Sequence, residues 1–191
     1  MSTVKSKNLQ VGTDATASNN FTIYQPSTPD GTLRIGVGNA DSPTEVAQVT
    51  SNGLSVTGRI QTSAQPAFEM YCSTAQSQPA NTVITIQFDS IQFDIGSNCN
   101  TSTYRFTAPV AGRYLIYLTV DEQTSGGCHS NIIVNGNQLT DGWVNFKDAG
   151  ASVQTRLLNL SAGDYITGWA YNTVATSLSS NRCKLGGFLI G

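Results

Sequence analysis

The sequence predicts an all-β protein: a sandwich or barrel over residues 66–191, preceded by an extended N-terminal arm and a small β region over 1–60. Three features of the 191-residue chain lead there. Runs in the later part alternate apolar and polar residues with a period of two, as half-buried strands do. Turn residues punctuate these runs about every 8–12 positions, the spacing of antiparallel β architectures. No window of about eleven residues follows the 3.6-residue period of an amphipathic helix.

Taken in order, residues 1–30 read as polar and loop-like. Asn8–Asn20 is rich in Gly, Thr, Ser and Asn; Phe21, Ile23 and Tyr24 make one short extended candidate before Pro26, Pro29 and Gly31 break the chain. Within 32–38, Leu33, Ile35 and Val37 alternate and so share one face. Ser42-Pro43-Thr44-Glu45 has the form of a helix capping box with Pro at the first helical position. Too few residues follow for a helix that must first nucleate. The expectation is instead a hairpin, with strands over 45–50 and 54–59 about a turn at Ser51-Asn52-Gly53.

Residues 61–65, ending at Pro66, form the expected linker. Beyond it, Ile84, Ile86 and Phe88 alternate, as do Ile91, Phe93 and Ile95. Tyr104 and Phe106 lead to Pro109 and a turn at Ala111-Gly112. Tyr114, Ile116, Leu118 and Val120 alternate with Leu115, Tyr117 and Thr119, a set apolar enough to predict a strand buried on both faces. Asn135-Gly136 marks a hairpin between Ile132-Ile133-Val134 and Leu139. Runs at 143–146, 153–160, 165–171 and 188–190 complete about seven to nine strands.

Composition narrows the function. Ten Lys and Arg against twelve Asp and Glu give a net charge of −2, and charged residues make up 12% of the chain, about half the usual quarter. Ser, Thr, Asn, Gln and Gly carry the surface instead. There is no basic footprint for nucleic acid, no apolar run long enough for a membrane helix, no heptad pattern and no strict glycine period. The Met-Ser-Thr-Val-Lys-Ser-Lys start lacks a following apolar block, so export by a secretory signal is not expected. Cys72, Cys99, Cys128 and Cys183 are widely spaced without a Cys-x-x-Cys pair, so a zinc site is not expected. Free thiols are expected, and one or two disulfides are the other reading.

Several segments recur in a telling order: Pro66-Ala67-Phe68, Ile86-Gln87-Phe88-Asp89, Tyr104-Arg105-Phe106-Thr107-Ala108-Pro109-Val110-Ala111-Gly112-Arg113-Tyr114, Leu158-Asn159-Leu160-Ser161-Ala162-Gly163-Asp164 and Gly187-Phe188-Leu189-Ile190. Together they resemble the C1q-like domain of the C1q/tumour-necrosis-factor superfamily. The resemblance implies a C1q/TNF-like jelly-roll sandwich over 66–191 that assembles as a homotrimer through its sheets. It also implies structural motif positions at Phe68, Phe88, Phe106, Pro109, Gly112, Tyr114, Gly163, Asp164 and Phe188. The residue chemistry agrees. Pro109 fixes φ and Gly112 tolerates a positive one, Gly163 suits a tight turn in which Asp164 accepts backbone N–H groups, and an apolar strand at 188–190 needs its edges paired or buried. Residues 21–60, through Gly-Thr-Leu-Arg-Ile and Val-Thr-Ser-Asn-Gly-Leu-Ser-Val-Thr-Gly, look like the short β units of bacteriophage fibre and virion-surface proteins.

Candidate sites each have a plainer reading. Cys128 and His129 as ligands or a nucleophile–base pair would have to converge, yet neighbours on a strand point apart; an exposed loop histidine beside an inert cysteine is expected. Asp121, Glu122, Asp141 and Asp148 offer oxygen ligands for calcium, against solvated loop charge. Asp89 and Asp94 suit turn acceptors better than paired glycosidase carboxylates. Trp143, Trp169, Tyr165 and Tyr171 suit a sugar-stacking platform or packing in a core or interface. Cys72 near the opening strand and Cys183 near the closing one would neighbour each other in a jelly roll, where a disulfide would tether the ends; separate thiols are the plainer reading. The combined expectation is a non-enzymatic virion-surface protein of a phage, assembled in the host cytoplasm. It would be a trimeric capsid decoration (cement) protein held on the major capsid protein by its N-terminal region, with the jelly roll outward. The alternative is a tail-fibre or receptor-binding tip recognising host surface glycans. No cofactor, metal, nucleic-acid or membrane partner is expected.

Overall fold

The structure, a computed structural model, describes residues 8–58, 64–124, 126–139, 144–146 and 149–190. The chain divides into two compact units, 1–62 and 63–191. The described residues contain no α-helix.

The first unit is a single antiparallel sheet in the order β1-β2-β3-β4-β5, built from β1 (Asn8–Val11), β2 (Phe21–Tyr24), β3 (Leu33–Val37), β4 (Thr44–Thr50) and β5 (Gly53–Val56). The hairpin expected at Ser51-Asn52-Gly53 forms in place of a helix: Thr50 pairs with Gly53, and the Asn52 amide donates to the Thr50 hydroxyl at 3.0 Å. Leu33, Ile35 and Val37 share one face, as their spacing predicts. The loop-like reading of 8–20 is corrected, since Asn8–Val11 pairs in register with Phe21–Tyr24. Four alternating residues are too weak a signal to announce a strand. The loop that follows is held by buried Asn20, whose side chain accepts from the Asp14 amide at 3.0 Å and donates to the Asp14 carbonyl at 2.8 Å and to Asn39 Oδ1 at 2.7 Å. Among the described residues of this unit, only Asn20, Thr22, Gly36 and Gly38 are buried; no apolar side chain is.

The second unit carries β6 (Ala67–Tyr71), β7 (Gln76–Gln78), β8 (Thr82–Thr85), β9 (Ser90–Ile95), β10 (Cys99–Asn100), β11 (Arg105–Thr107), β12 (Gly112–Glu122), β13 (Cys128–Val134), β14 (Asn137–Gln138), β15 (Val144–Phe146), β16 (Gly150–Leu160), β17 (Tyr165–Asn172), β18 (Thr176–Leu178) and β19 (Lys184–Leu189). One sheet runs β10-β11-β17-β13-β14, with β8 on β17 and β15 on β13; the other runs β7-β18-β12-β19-β6-β9, with β16 on β12. This is a jelly-roll-like sandwich. Between β8 and β9 the chain leaves one sheet and joins the other, and Ile86 and Phe88 on that crossing are fully buried. The strand expected through 84–88 therefore stops at Thr85. Asn135 (φ +52) and Gly136 (φ +79) form the predicted β13–β14 turn with both central residues left-handed.

The facing sides of the two sheets close one core. Phe68 on β6 stacks on Phe106 on β11, with ring centroids 3.9 Å apart and planes 4° apart, and Tyr114 lies tilted 5.9 Å from Phe106. Met70, Ile116, Leu118, Val120, Ile132, Ile166 and Leu185 fill the remainder. The Tyr114 hydroxyl reaches the surface end of this cluster and donates to the Val110 carbonyl at 2.9 Å. Replacing Phe106 by Ala removes one ring of the stack. It will cost about 3–5 kcal/mol of stability in urea unfolding. Tyr114→Phe, which deletes the hydrogen bond alone, will cost about 1 kcal/mol.

Candidate assembly interface

The other side of the β12-containing sheet faces outward. On β12 the inward set is buried, but Leu115, Tyr117 and Thr119 are half-buried. The expectation of a strand covered on both faces is thereby corrected: alternation assigns a side, and among the described residues no second layer of this unit covers that side. Register places three rows across the open face. Leu157, Leu115, Phe188, Ala67 and Ile95 lie in one; Thr155, Tyr117, Gly186, Glu69 and Phe93 in the next; Val153, Thr119, Lys184 and Tyr71 in the third. On the outermost strand, Val153 and Leu157 are 64% and 60% exposed.

One polar cluster sits within these rows. Glu69 accepts from the Tyr117 hydroxyl and, at 2.8 Å, from the Lys184 ammonium. Tyr117 reaches Glu69 by lying across β19, which requires Gly186 beneath it: a Cβ there would come within 2.4 Å of the phenol ring. Burial raises the Glu69 pKa, but the bonds from Lys184 and Tyr117 and the Lys184 charge outweigh that and hold it below its ordinary 4.5. Burial, then the bond to Glu69, pushes the Tyr117 phenol up, so it stays a donor. Sequence reasoning missed Glu69, Tyr117, Lys184 and Gly186 as a group. The adjacent glycines Gly186-Gly187 in an otherwise apolar strand were the available signal.

The motif positions fall in several places. Phe68, Phe88, Phe106 and Tyr114 are in the core. Pro109 lies in the bend before β12, and Gly112 opens β12 opposite Leu160. Gly163 takes φ +91, and Asp164 accepts from the Ser161 amide and the Asn135 side chain, both at 2.7 Å. Phe188 is not in the core but on the open face. Asp94 accepts from the Cys99 amide at 2.8 Å across the β9–β10 turn, whereas Asp89 accepts from the Ser73 amide at 2.7 Å and so ties together two loops 16 positions apart rather than one turn.

Cys128 points inward to Glu122 and Asn172, and its thiol is pushed up to about 12 by burial and by Glu122. His129 turns to the opposite face, beside Asn145 and Tyr171. Asp121 is engaged by Ser179 at 2.6 Å and Arg182 at 3.3 Å, while Glu122 accepts from Asn172. Asp141, Asp148 and Trp143 lie outside the described residues, and among the described residues no three His, Cys, Asp or Glu side chains gather as a metal site. Trp169 and Tyr171 are half-buried on the outer side of the β17 sheet, beside a hollow of about 10 Å³. Tyr165 lies further along, under Arg105 at 3.9 Å. Cys72 and Cys183 do meet. The Cys72 amide donates to the Cys183 carbonyl at 3.1 Å, and both side chains are buried thiols.

Comparison with known proteins places the fold of the second unit. The C1q domain family matches residues 67–190. Two structures of murine APRIL, at pH 8.5 and pH 8.0, are 17% and 16% identical; each covers 66% of this chain and 99% of the APRIL chain, with TM-scores of 0.50 and 0.51. The globular domain of zebrafish complement 1qA is 16% identical and covers 66% of this chain and 98% of its own, with a TM-score of 0.48. No curated protein matches.

Two measurements test the polar cluster. Gly186→Ala will destabilise the domain by about 1–3 kcal/mol through the clash with Tyr117, and adding Tyr117→Val will reduce that penalty. Because the Glu69 pKa is depressed on folding, its contribution is present above about pH 4.5 and is lost as pH falls through the folded value. Glu69→Gln will therefore flatten the acid limb of the stability profile relative to wild type.

Proposed function

The chain belongs to the C1q domain family through residues 67–190, and from that premise we propose that it is a structural, self-assembling protein of a phage virion surface. In this reading it is a homotrimeric capsid decoration (cement) protein. The jelly roll faces outward and the N-terminal unit holds the major capsid protein. C1q/TNF domains are typically structural or ligand-binding rather than enzymatic. The observation that carries the reading is the open face of the β12 sheet. Val153, Leu157, Leu115, Phe188 and Ile95 form an apolar surface over which the described residues of their own domain place no layer, and such a surface marks an interface. Three linked copies would present three attachment units, so individually weak contacts to a shell would add up to firm retention. The sparsely charged, Ser/Thr/Asn-rich composition suits a surface exposed outside the cell.

A second reading, a tail-fibre or receptor-binding tip for host glycans, is favoured by the rings of Trp169, Tyr171 and His129 on the outer side of the other sheet. The hollow there holds about one water, so a sugar would stack on the rings rather than enter a pocket.

Light scattering of the purified protein will give about three times the 20.2 kDa chain mass, and Leu157→Asp will shift it toward the single chain. A wild-type protein that stays at 20.2 kDa across micromolar concentrations overturns the homotrimer. Quantitative mass analysis of purified particles separates the two readings: many copies on the head support decoration, and a few at the tail support receptor binding.

A further inference from the structure

The N-terminal sheet has its polarity inside out. Cross-strand register puts Leu9, Ile23, Ile35, Ala47 and Val56 in one row, Val11, Phe21 and Val37 beside it, and Leu33, Val49 and Leu54 on its other flank. These eleven residues share one face, because cross-strand partners and i, i+2 neighbours point to the same side. The opposite face carries Asn8, Gln10, Thr22, Tyr24, Arg34, Gln48 and Ser55. That polar side is the one with internal support. Thr22 is fully buried and donates to the Gly38 carbonyl at 2.9 Å, and Arg34 pairs with Asp30 at 2.6 Å and Glu45 at 2.9 Å. On the apolar side, Leu9 is 57% exposed, Val11 56% and Leu54 64%.

We propose that this apolar face is an interface between copies of this chain, in which two or three such sheets turn the same face inward and supply one another's core. A one-layer sheet with nothing over its apolar face has no hydrophobic core, and short antiparallel sheets need one to persist. The open area matches an interface. Seven of these side chains leave on the order of 700 Å² uncovered, above the about 300–600 Å² of the largest patch on a typical monomer and near the about 800 Å² per partner of a stable complex. Among the described residues the face carries no charged side chain, so none of them selects a partner of opposite charge, whereas an identical uncharged apolar face is complementary to it. The inference leans on the homotrimer reading in one respect: copies joined through their jelly rolls hold these sheets at effective concentrations of order millimolar.

Photo-crosslinking of the full chain tests this. A benzoylphenylalanine replaces Phe21, and in a separate protein it replaces Leu157 on the jelly roll. Irradiation of the Phe21 protein is expected to give bands at two and three chain masses, with crosslinked peptides mapping within 8–56. Adding Leu9→Lys and Leu54→Lys lowers that yield at least fivefold, while Ser55→Lys on the polar face leaves it unchanged. The inference is overturned if only single-chain product forms, if the crosslinks join residue 21 to the 64–190 region of the same chain, if in assembled particles they join it to capsid protein alone, or if Ser55→Lys reduces the yield as much as the lysine pair. Crosslinks from position 157 without any from position 21 overturn this inference and leave the jelly-roll homotrimer standing. Crosslinks from 21 without any from 157 do the reverse.

Discussion

A pleated strand sends successive side chains to opposite sides, so every sheet has two faces, and an apolar face must be kept from water by something. This constraint organises the whole molecule. In the jelly roll, two sheets cover each other's inner faces, and the stacked Phe68 and Phe106 with Tyr114 beside them occupy the space between. That arrangement uses one face of each sheet. Among the described residues, the outer face of the β12 sheet keeps its apolar rows without a layer of its own unit above, and the N-terminal unit supplies no second layer to its own sheet. Among the described residues there is thus one closed core, inside the jelly roll, and each unit has an apolar sheet face that its own strands leave open.

The two faces differ in how directional they are. Apolar contact has no preferred orientation of its own. On the β12 sheet, the ion pair of Glu69 and Lys184 and the phenol of Tyr117 interrupt the apolar rows with hydrogen bonds of fixed geometry, and Gly186 exists at that point to let the phenol cross. Among the described residues the N-terminal face has no such feature; polar anchoring lies behind it, through Asn8, Gln10, Asn20, Thr22 and Arg34.

Much of this was legible in the residue order. Period-two alternation located most strands, Asn135-Gly136 marked its turn, and the Phe106–Tyr114 run with the Gly163-Asp164 turn pointed to the right family. Alternation failed where it is blind. Asn8–Val11 is too short to stand out from its loop. Ile86 and Phe88 keep alternating after the backbone has left one sheet for the other, so the pattern overran the strand. Leu115 and Tyr117 looked buried because alternation says which side a residue takes and not what lies above it. Glu69 and Lys184 are 115 positions apart, and nothing local to either announces the other; only the insertion of β19 beside β6 brings them together.

That insertion also sets an order of events. Strand β19, the last of the described strands along the chain, lies between β12 and β6 and bonds to both. Until it has been translated, β6 and β9 have no neighbour through which to join the β12 layer, and the stacked rings cannot close over it. A nascent domain emerging from the ribosome must therefore wait, with its earlier strands exposed, for its final residues to arrive. Chains cut short before Lys184 would lack the strand that welds the layer, and would be left as substrates for chaperones and proteases rather than as building blocks.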